Sequence, residues 1–479
     1  MIRFWGWRGP ISPLIYLSSN LLSLAGVAIV TTAAVFWMFL LPTTLSGEIT
    51  HPYIGILVFL AVPAAFFFGL ALIPLGIWLR QRREHRKGLY PTSFPPSNWQ
   101  NRELRRLVYF VGATTFANLV IASQVTYGAV NYMDSVTFCG QTCHTVMQPE
   151  FTAHQNSPHA RVACVACHIG PGASWFVRSK ISGTGQVFAV LLNNYPRPIP
   201  TPVSNLRPAR ETCEVCHWPA KFGSDRLEVI PSFADDEANT LTKTVLLMKI
   251  GGGASGTGIH GVHVGAGVRI RYAYSDQARQ TIPWVEYSGR DGRTTVYQAA
   301  GTKGPGALPI REMDCIDCHN RPTHIFQLPE RAVDSAMAAG DISPSLPFVK
   351  KESVEILRGN YASREEAAAR IPAALAGYYR QHYPALEQQR GPEIARASRA
   401  LVGIYDRNVF PAMRVSWGTY PNNIGHNDFP GCFRCHDDAH ASADGRKITQ
   451  DCGACHNLLA MSEPSPKILS DLGLADAAK

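Results

Sequence analysis

Twelve cysteines fall into six pairs, and a histidine follows each pair at once: Cys139-Cys143-His144, Cys164-Cys167-His168, Cys213-Cys216-His217, Cys315-Cys318-His319, Cys432-Cys435-His436 and Cys452-Cys455-His456. Five pairs have the spacing C-x-x-C-H, and the first, CGQTCH, has one residue more. Two thiols so spaced can add to the two vinyl groups of one haem while the adjacent imidazole reaches its iron, which is the pattern of covalent c-type haem attachment. The longer first motif stretches the loop but can serve the same chemistry. Paired cysteines could instead build structural zinc sites, and an even cysteine count outside the cytoplasm could form disulfides. Neither alternative requires a histidine after every pair, so the chain is read as carrying six covalently bound c-type haems.

Each iron needs a second axial ligand unless it is left open for a substrate. Ten of the sixteen histidines lie outside the motifs, and one of these, His85, sits in a charged loop. The other nine are His51, His154, His159, His260, His263, His324, His382, His426 and His440. Supply exceeds demand, which favours saturated irons that move electrons over open irons that make or break bonds. Spacing ranks the ligands: His159 precedes Cys164 by five residues, His324 follows His319 by five, His426 precedes Cys432 by six and His440 follows His436 by four. His260 and His263 lie together in the glycine-rich stretch GGGASGTGIHGVHVGAG. Met147, three residues after His144, could offer a thioether to the first haem or simply pack, and His382, in a polar helical stretch, reads as an ordinary surface histidine.

The elements that must hold these groups begin with a membrane part. Uncharged, mainly apolar runs span Leu14 to Leu41, Tyr53 to Leu79 and Leu107 to Tyr132, each longer than the roughly 20 residues that cross a bilayer. The first run is too long for a cleaved signal peptide and reads as an uncleaved anchor. None of the runs contains a histidine, so haem buried in the bilayer is not expected. Of the net charge of +9, residues 1–133 carry +7, with ten Lys and Arg against three acids. Arg80, Arg82, Arg83, Arg86, Lys87, Arg102, Arg105 and Arg106 cluster between the second and third runs. By the positive-inside rule this loop and the N-terminus are cytoplasmic, and everything after Tyr132 is extracytoplasmic. The remainder is nearly balanced in charge, which argues against nucleic acid as a partner. All six motifs fall on the side where c-type haem is attached, in agreement with the cysteine reading.

The expected architecture is a membrane-anchored multihaem cytochrome. Three transmembrane α-helices (residues 1–133) lead to an extracytoplasmic, haem-packed, mostly irregular and α domain with a small antiparallel β insertion. Motifs one to three lie in 134–222, the β-rich insertion in 223–311, motif four and a helical segment in 312–400, and motifs five and six with a loosely held tail in 401–479. Strand patterns at Thr244–Ile250, Val268–Tyr274, Thr281–Tyr287 and Thr294–Ala299 carry the insertion, with a turn at Ser288-Gly289-Arg290-Asp291-Gly292. Its glycine run lacks the Gly-Lys-Ser/Thr of a phosphate loop, so no nucleotide is expected. The helices of 326–400 are expected to pack around haems.

The third apolar run, Tyr132-Met133-Asp134-Ser135, FCGQTCHTVM and SPHARVACVACH together resemble the NapC/NirT family of membrane-anchored multihaem quinol dehydrogenases over about residues 107–220. The resemblance implies a helix leading directly into a first haem beside a quinol site at the membrane surface, with Met147 as the methionine ligand and Lys180 at the quinol site. The chain departs from the usual family pattern in three ways. Its first motif is one residue longer and Met147 follows His144 by three; no Asp or Glu lies between Lys180 and Arg210; and three spans and six haems exceed the usual one and four. In size and layout it looks like the larger inner-membrane members, which feed periplasmic or extracellular acceptor pathways. A quinol releases two protons with its two electrons, and Asp134, Glu150 and Lys180 are the candidates to handle them, with Gln124 and Tyr127 as quinone contacts. The resulting expectation is electron transfer from the membrane quinone pool, menaquinol in particular, to a periplasmic redox protein. The alternatives are a haem-bearing subunit of a larger respiratory complex, or a terminal reductase of a small nitrogen oxide with one open iron.

Overall fold

The computed structural model describes residues 11–45, 61–94, 98–142, 144–170, 172–203, 206–252 and 256–474. Cys143, the side chains of His144 and Lys180, and the first part of the second apolar run lie outside the described residues. The chain divides into two compact units, residues 1–134 with 177–191 and residues 135–176 with 192–479.

The first unit contains the membrane helices. The first apolar run is two helices, α1 (Ile11–Ser18) and α2 (Leu21–Leu45). The break falls at Asn20, whose side chain accepts from the Ser23 amide at 3.0 Å, a capping bond that starts a new helix. The second run forms α3 (Val62–Arg86) and the third α4 (Arg102–Met133). Among the described residues three helical segments are long and apolar enough to span a bilayer: Leu21–Met38, Val62–Arg86 and Arg102–Gln124. Helices α2 and α3 meet through small residues, as is usual where apolar surface offers no drive to associate in lipid. A Cβ on Gly26 would stand 2.7 Å from the Gly69 carbonyl oxygen, and Ser23 Oγ donates to Ile73 O at 2.9 Å. The Arg cluster has a local role as well as a topological one: Arg80 pairs with Glu84 at 2.8 Å and donates to Tyr16 O and Ser19 O.

The second unit starts with α5 (His144–Gln155) and α6 (Cys164–His168), which hold the first two motif histidines. Helix α7 (Ala173–Leu191) follows and belongs from Val177 onward to the first unit, whereas the sequence placed all of it in the haem region. Helix α8 (Ala209–Cys213) opens the third motif.

Two antiparallel sheets then form. Strands β1 (Arg226–Phe233) and β2 (Leu241–Met248) pair, and the chain passes through α9 (Gly258–His263) to β3 (Arg269–Ala273), β4 (Trp284–Ser288), β5 (Thr294–Gln298) and β6 (Ile310–Glu312). The second sheet has the order β5-β4-β3-β6, with Ser288 opposite Thr294 across the expected turn.

Beyond the fourth motif helix α10 (Cys315–Cys318), α11 (Pro329–Ala338), α12 (Val349–Leu357), α13 (Arg364–His382) and α14 (Pro384–Asn408) pack on one another. Their contact faces recur at helical spacing, and Ile371, Leu375, Tyr379, Leu401 and Ile404 have no solvent exposure. These helices therefore enclose an apolar core, which Phe233 at the end of β1 also enters. The buried ion pair Lys350–Asp334 (2.6 Å) ties α12 to α11, and Asp334 also accepts from the Phe233 amide at the end of β1.

The C-terminal segment is held more firmly than its sequence suggests. Strand β7 (His456–Glu463) is the third strand of the first sheet, in the order β1-β2-β7, and α15 (Lys467–Asp471) buries Leu469 in a cluster with Val245 and Ala460.

Candidate functional site

Each motif lies on or beside a short helical turn, and none of the eleven cysteines described is in a disulfide. At the fourth motif Asp314 and Asp317 form a capping box around Cys315. The Asp317 carboxylate, between the two cysteines, is 3% exposed and accepts from Tyr272 Oη at 2.6 Å, Arg311 Nε at 2.9 Å and Arg279 Nη1 at 3.1 Å. A buried charge needs such partners, and here they hold the attachment loop rigid. Burial beside Asp317 raises the Tyr272 hydroxyl well above its ordinary range, so Tyr272 remains a donor.

Five motif histidines each face a second histidine. Ring centres are 6.2 Å apart for His168 and His324, 6.0 Å for His217 and His159, 6.3 Å for His319 and His260, 5.9 Å for His436 and His263, and 6.3 Å for His456 and His426. Two imidazoles held on opposite sides of one metal by bonds of about 2 Å have ring centres about 6.4 Å apart. The five pairs therefore fit a haem iron between them. By contrast, no three His, Cys, Asp or Glu side chains among the described residues converge to hold a bare metal ion, as a zinc site would require.

The tautomers fit as well. Nδ1 of His263 bonds to Ile259 O (2.7 Å), Nδ1 of His436 to Thr449 O (2.8 Å) and Nδ1 of His324 to Glu150 O (3.0 Å), which leaves Nε2 of each as the nitrogen that can bind a metal. Burial lowers the pKa of His168, His260, His263, His319 and His456, and takes His324 down to about 3. These rings are neutral at pH 7, the form that binds a metal.

The remaining expected residues are placed as follows. His440 is buried with Nε2 2.6 Å from Ile282 O and Nδ1 2.9 Å from Asp437 Oδ1, so both ring nitrogens are engaged by the protein. His154, 6.4 Å from His324, likewise has Nε2 on Val162 O and Nδ1 beside Gln155. His382 is exposed, its ring tilted against that of Tyr378 with centres 4.9 Å apart. Met147 is half-buried on α5, one turn beyond His144. Gln124, Tyr127, Asp134 and Lys180 belong to the membrane unit, with Gln124 and Tyr127 exposed on α4. Glu150 belongs to the haem unit, where both its oxygens take hydrogen bonds from Arg321 at 3.1 and 3.0 Å and one lies 3.1 Å from His324 Nδ1. It is thus committed to a buried arginine and a ligand-type histidine.

Three residues with clear roles escape the sequence reading. Arg321 braces Glu150, Phe433 stacks on His426 with ring centres 4.2 Å apart, and Arg434 bridges to the fourth motif. Phe433 and Arg434 occupy the two variable positions of a C-x-x-C-H motif, which a pattern match passes over.

The family described as "NapC/NirT cytochrome c family, N-terminal region" matches residues 102–198. The cytochrome c-type protein ImcH of Geobacter sulfurreducens is 42% identical over 451 residues, which cover 92% of this chain and 88% of that protein. No solved structure matches the chain.

Proposed function

The chain belongs to the NapC/NirT family of membrane-anchored c-type cytochromes, and from that premise we propose that it is a quinol dehydrogenase that passes electrons from menaquinol to a soluble acceptor outside the cytoplasm. The observation that carries this reading is the set of five facing histidine pairs, since a site filled on both sides has no position for a substrate. When bound, c-type haem supplies one-electron carriers, so that one quinol, losing two electrons and two protons, serves two of them.

The protein's own groups have distinct tasks. The twelve cysteines and six motif histidines fix the six attachment sites. His324, His159, His260, His263 and His426 supply the second ligands of sites two to six in that order. His154 and His440 stand aside, their nitrogens already engaged. Site one begins six residues beyond the end of α4, which keeps it within about 20 Å of that helix end by chain length alone. Met147 is the candidate outer ligand there. Asp134 and Lys180 are the groups to accept quinol protons at the membrane, with Gln124 and Tyr127 as quinone contacts. Glu150, paired with Arg321, serves site two instead. The Arg-rich segment between α3 and α4 faces the cytoplasm of an inner-membrane protein, and the haem unit faces away from it.

The test is anaerobic stopped-flow mixing of the oxidised, detergent-purified protein with a menaquinol analogue, repeated with Lys180→Ala. Rapid reduction of several haems, slowed by the substitution, is expected. Failure of quinol to reduce a protein that a soluble donor reduces rapidly refutes the proposal. The filled pairs disfavour a terminal reductase, whose mark would be a high-spin iron that binds added nitrite or hydroxylamine.

A further inference from the structure

The glycine-rich stretch between β2 and β3 carries His260 and His263, two of the proposed second ligands. Its backbone folds back on itself. Gly252 donates to Thr257 O at 2.8 Å, Ile259 to Lys249 O at 2.8 Å and His260 to Ile250 O at 2.9 Å. A Cβ on Gly251 would collide with Thr257 O, one on Gly261 with the Gly256 backbone, and one on Gly258 would stand 2.6 Å from Gly251 Cα. Gly251 and Gly258 also have φ of +57° and +70°, which favours glycine. The loop is thus a backbone knot that seats the one and a half turns of α9 in a fixed place. His260 and His263, three residues apart on that helix, face the histidines of two different motifs, His319 of the fourth and His436 of the fifth.

Independent contacts bring those motifs together. Arg434, inside the fifth, donates to Asp317 O, inside the fourth, at 2.6 Å and to Arg279 O at 2.9 Å. Asn423 Nδ2 donates to the same Asp317 carbonyl at 3.2 Å, and the Cys435 thiol lies within electrostatic reach of Cys318. The neighbouring motifs are joined in the same order. The Ala209 amide, on the helix that ends at Cys213, donates to Asp314 beside Cys315 at 3.0 Å, which links the third to the fourth. Phe433 of the fifth stacks on His426, the partner of His456 in the sixth, and Cys455 lies within electrostatic reach of Cys432.

We propose that α9 is a clamp for two irons, the fourth through His260 and the fifth through His263, and that it splices sites three to six into a single file in sequence order ending at Cys452–His456. The β-rich segment is then a ligand-bearing part of the relay, not an appended docking module. The matched family region stops at residue 198, so apart from His159 this file is built by the rest of the chain. The inference rests on the haem-carrying part of the proposed function and is independent of quinol as the donor.

The test uses the full-length, haem-loaded protein as isolated, without quinol. His260→Gly and His263→Gly are each expected to convert one sixth of the ferric haem from low-spin to high-spin in the EPR spectrum, and the double variant one third. Added imidazole should restore the low-spin signal, which a general packing defect would not allow. Unchanged low-spin intensity in either single variant overturns the clamp. The iron positions in a cryo-EM map of the unsubstituted protein check the file without any variant. Irons three to six are expected to have their sequence neighbours as nearest neighbours, and a branch, such as iron six closest to iron three, overturns it. Should quinol fail to reduce the protein while these spectra and distances hold, the donor is wrong and the clamp stands.

Discussion

Replacing Glu150 by glutamine separates two roles that one carboxylate could fill. The carboxylate is 16% exposed and receives two hydrogen bonds from Arg321, which is 7% exposed. Arg321 also donates to His324 O at 2.7 Å and lies 4.3 Å from the centre of the Tyr420 ring. Removing one partner of a buried pair leaves the other charge uncompensated, at a cost of about 3–5 kcal/mol. Glutamine preserves the shape and one acceptor oxygen, so about 3 kcal/mol is expected. The haem unit has roughly 330 residues, for which an unfolding entropy of about 2 cal/mol/K per residue gives a fall in Tm of about 4 °C. The Glu150 backbone carbonyl still accepts from His324 Nδ1, but the carboxylate that lies 3.1 Å from the same nitrogen is gone. A less basic imidazole is a weaker donor to iron, so the reduction potential of one haem, at site two, should rise. The assays are thermal unfolding and a spectroelectrochemical titration, with quinol reduction followed in parallel. An unshifted titration with an unchanged Tm, together with slow quinol reduction, would refute this reasoning and return Glu150 to the quinol site.

Other expectations follow from burial and hydrogen bonding. His440→Ala should leave the low-spin haem signal intact and cost about 1–3 kcal/mol through the buried Ile282 carbonyl left without its donor; loss of one sixth of that signal would make His440 a ligand. Leu375→Ala, at a position with no exposure, should cost about 2–5 kcal/mol in chemical denaturation while the haem spectrum of the folded protein stays unchanged. A spectral change before unfolding would show that the α11–α14 core touches haem after all. Asp317→Asn should cost about 3–5 kcal/mol because Arg279 and Arg311 lose their buried counter-charge, and Asp317→Glu should recover little of it in so tight a site. Wild-type stability for the asparagine variant would mean that the two arginines find other partners.

The sequence by itself determined the attachment chemistry and the membrane part. Attachment is local: two thiols must reach two vinyl groups and the next residue must reach the iron, so the whole constraint fits in five or six consecutive positions. The membrane helices are equally local, since the thickness of hydrocarbon sets their length whatever they pack against. The second ligands are different. Sequence proximity singled out His159, His324 and His426 by the motif beside each, yet each faces the histidine of a different motif. It also ranked His440 with them, because spacing carries no record of whether a ring nitrogen already faces Ile282 O and Asp437. Strand β7 was missed for the same reason: its partner β2 lies about 200 residues earlier, and an edge strand with mixed polarity gives no alternation to read. The glycine run could be recognised as unlike a phosphate loop, but its purpose depends on where two motifs remote in sequence come to rest. Only the tertiary structure decides that, because which two imidazoles come to face each other is fixed by packing between distant segments and leaves no spacing in the chain.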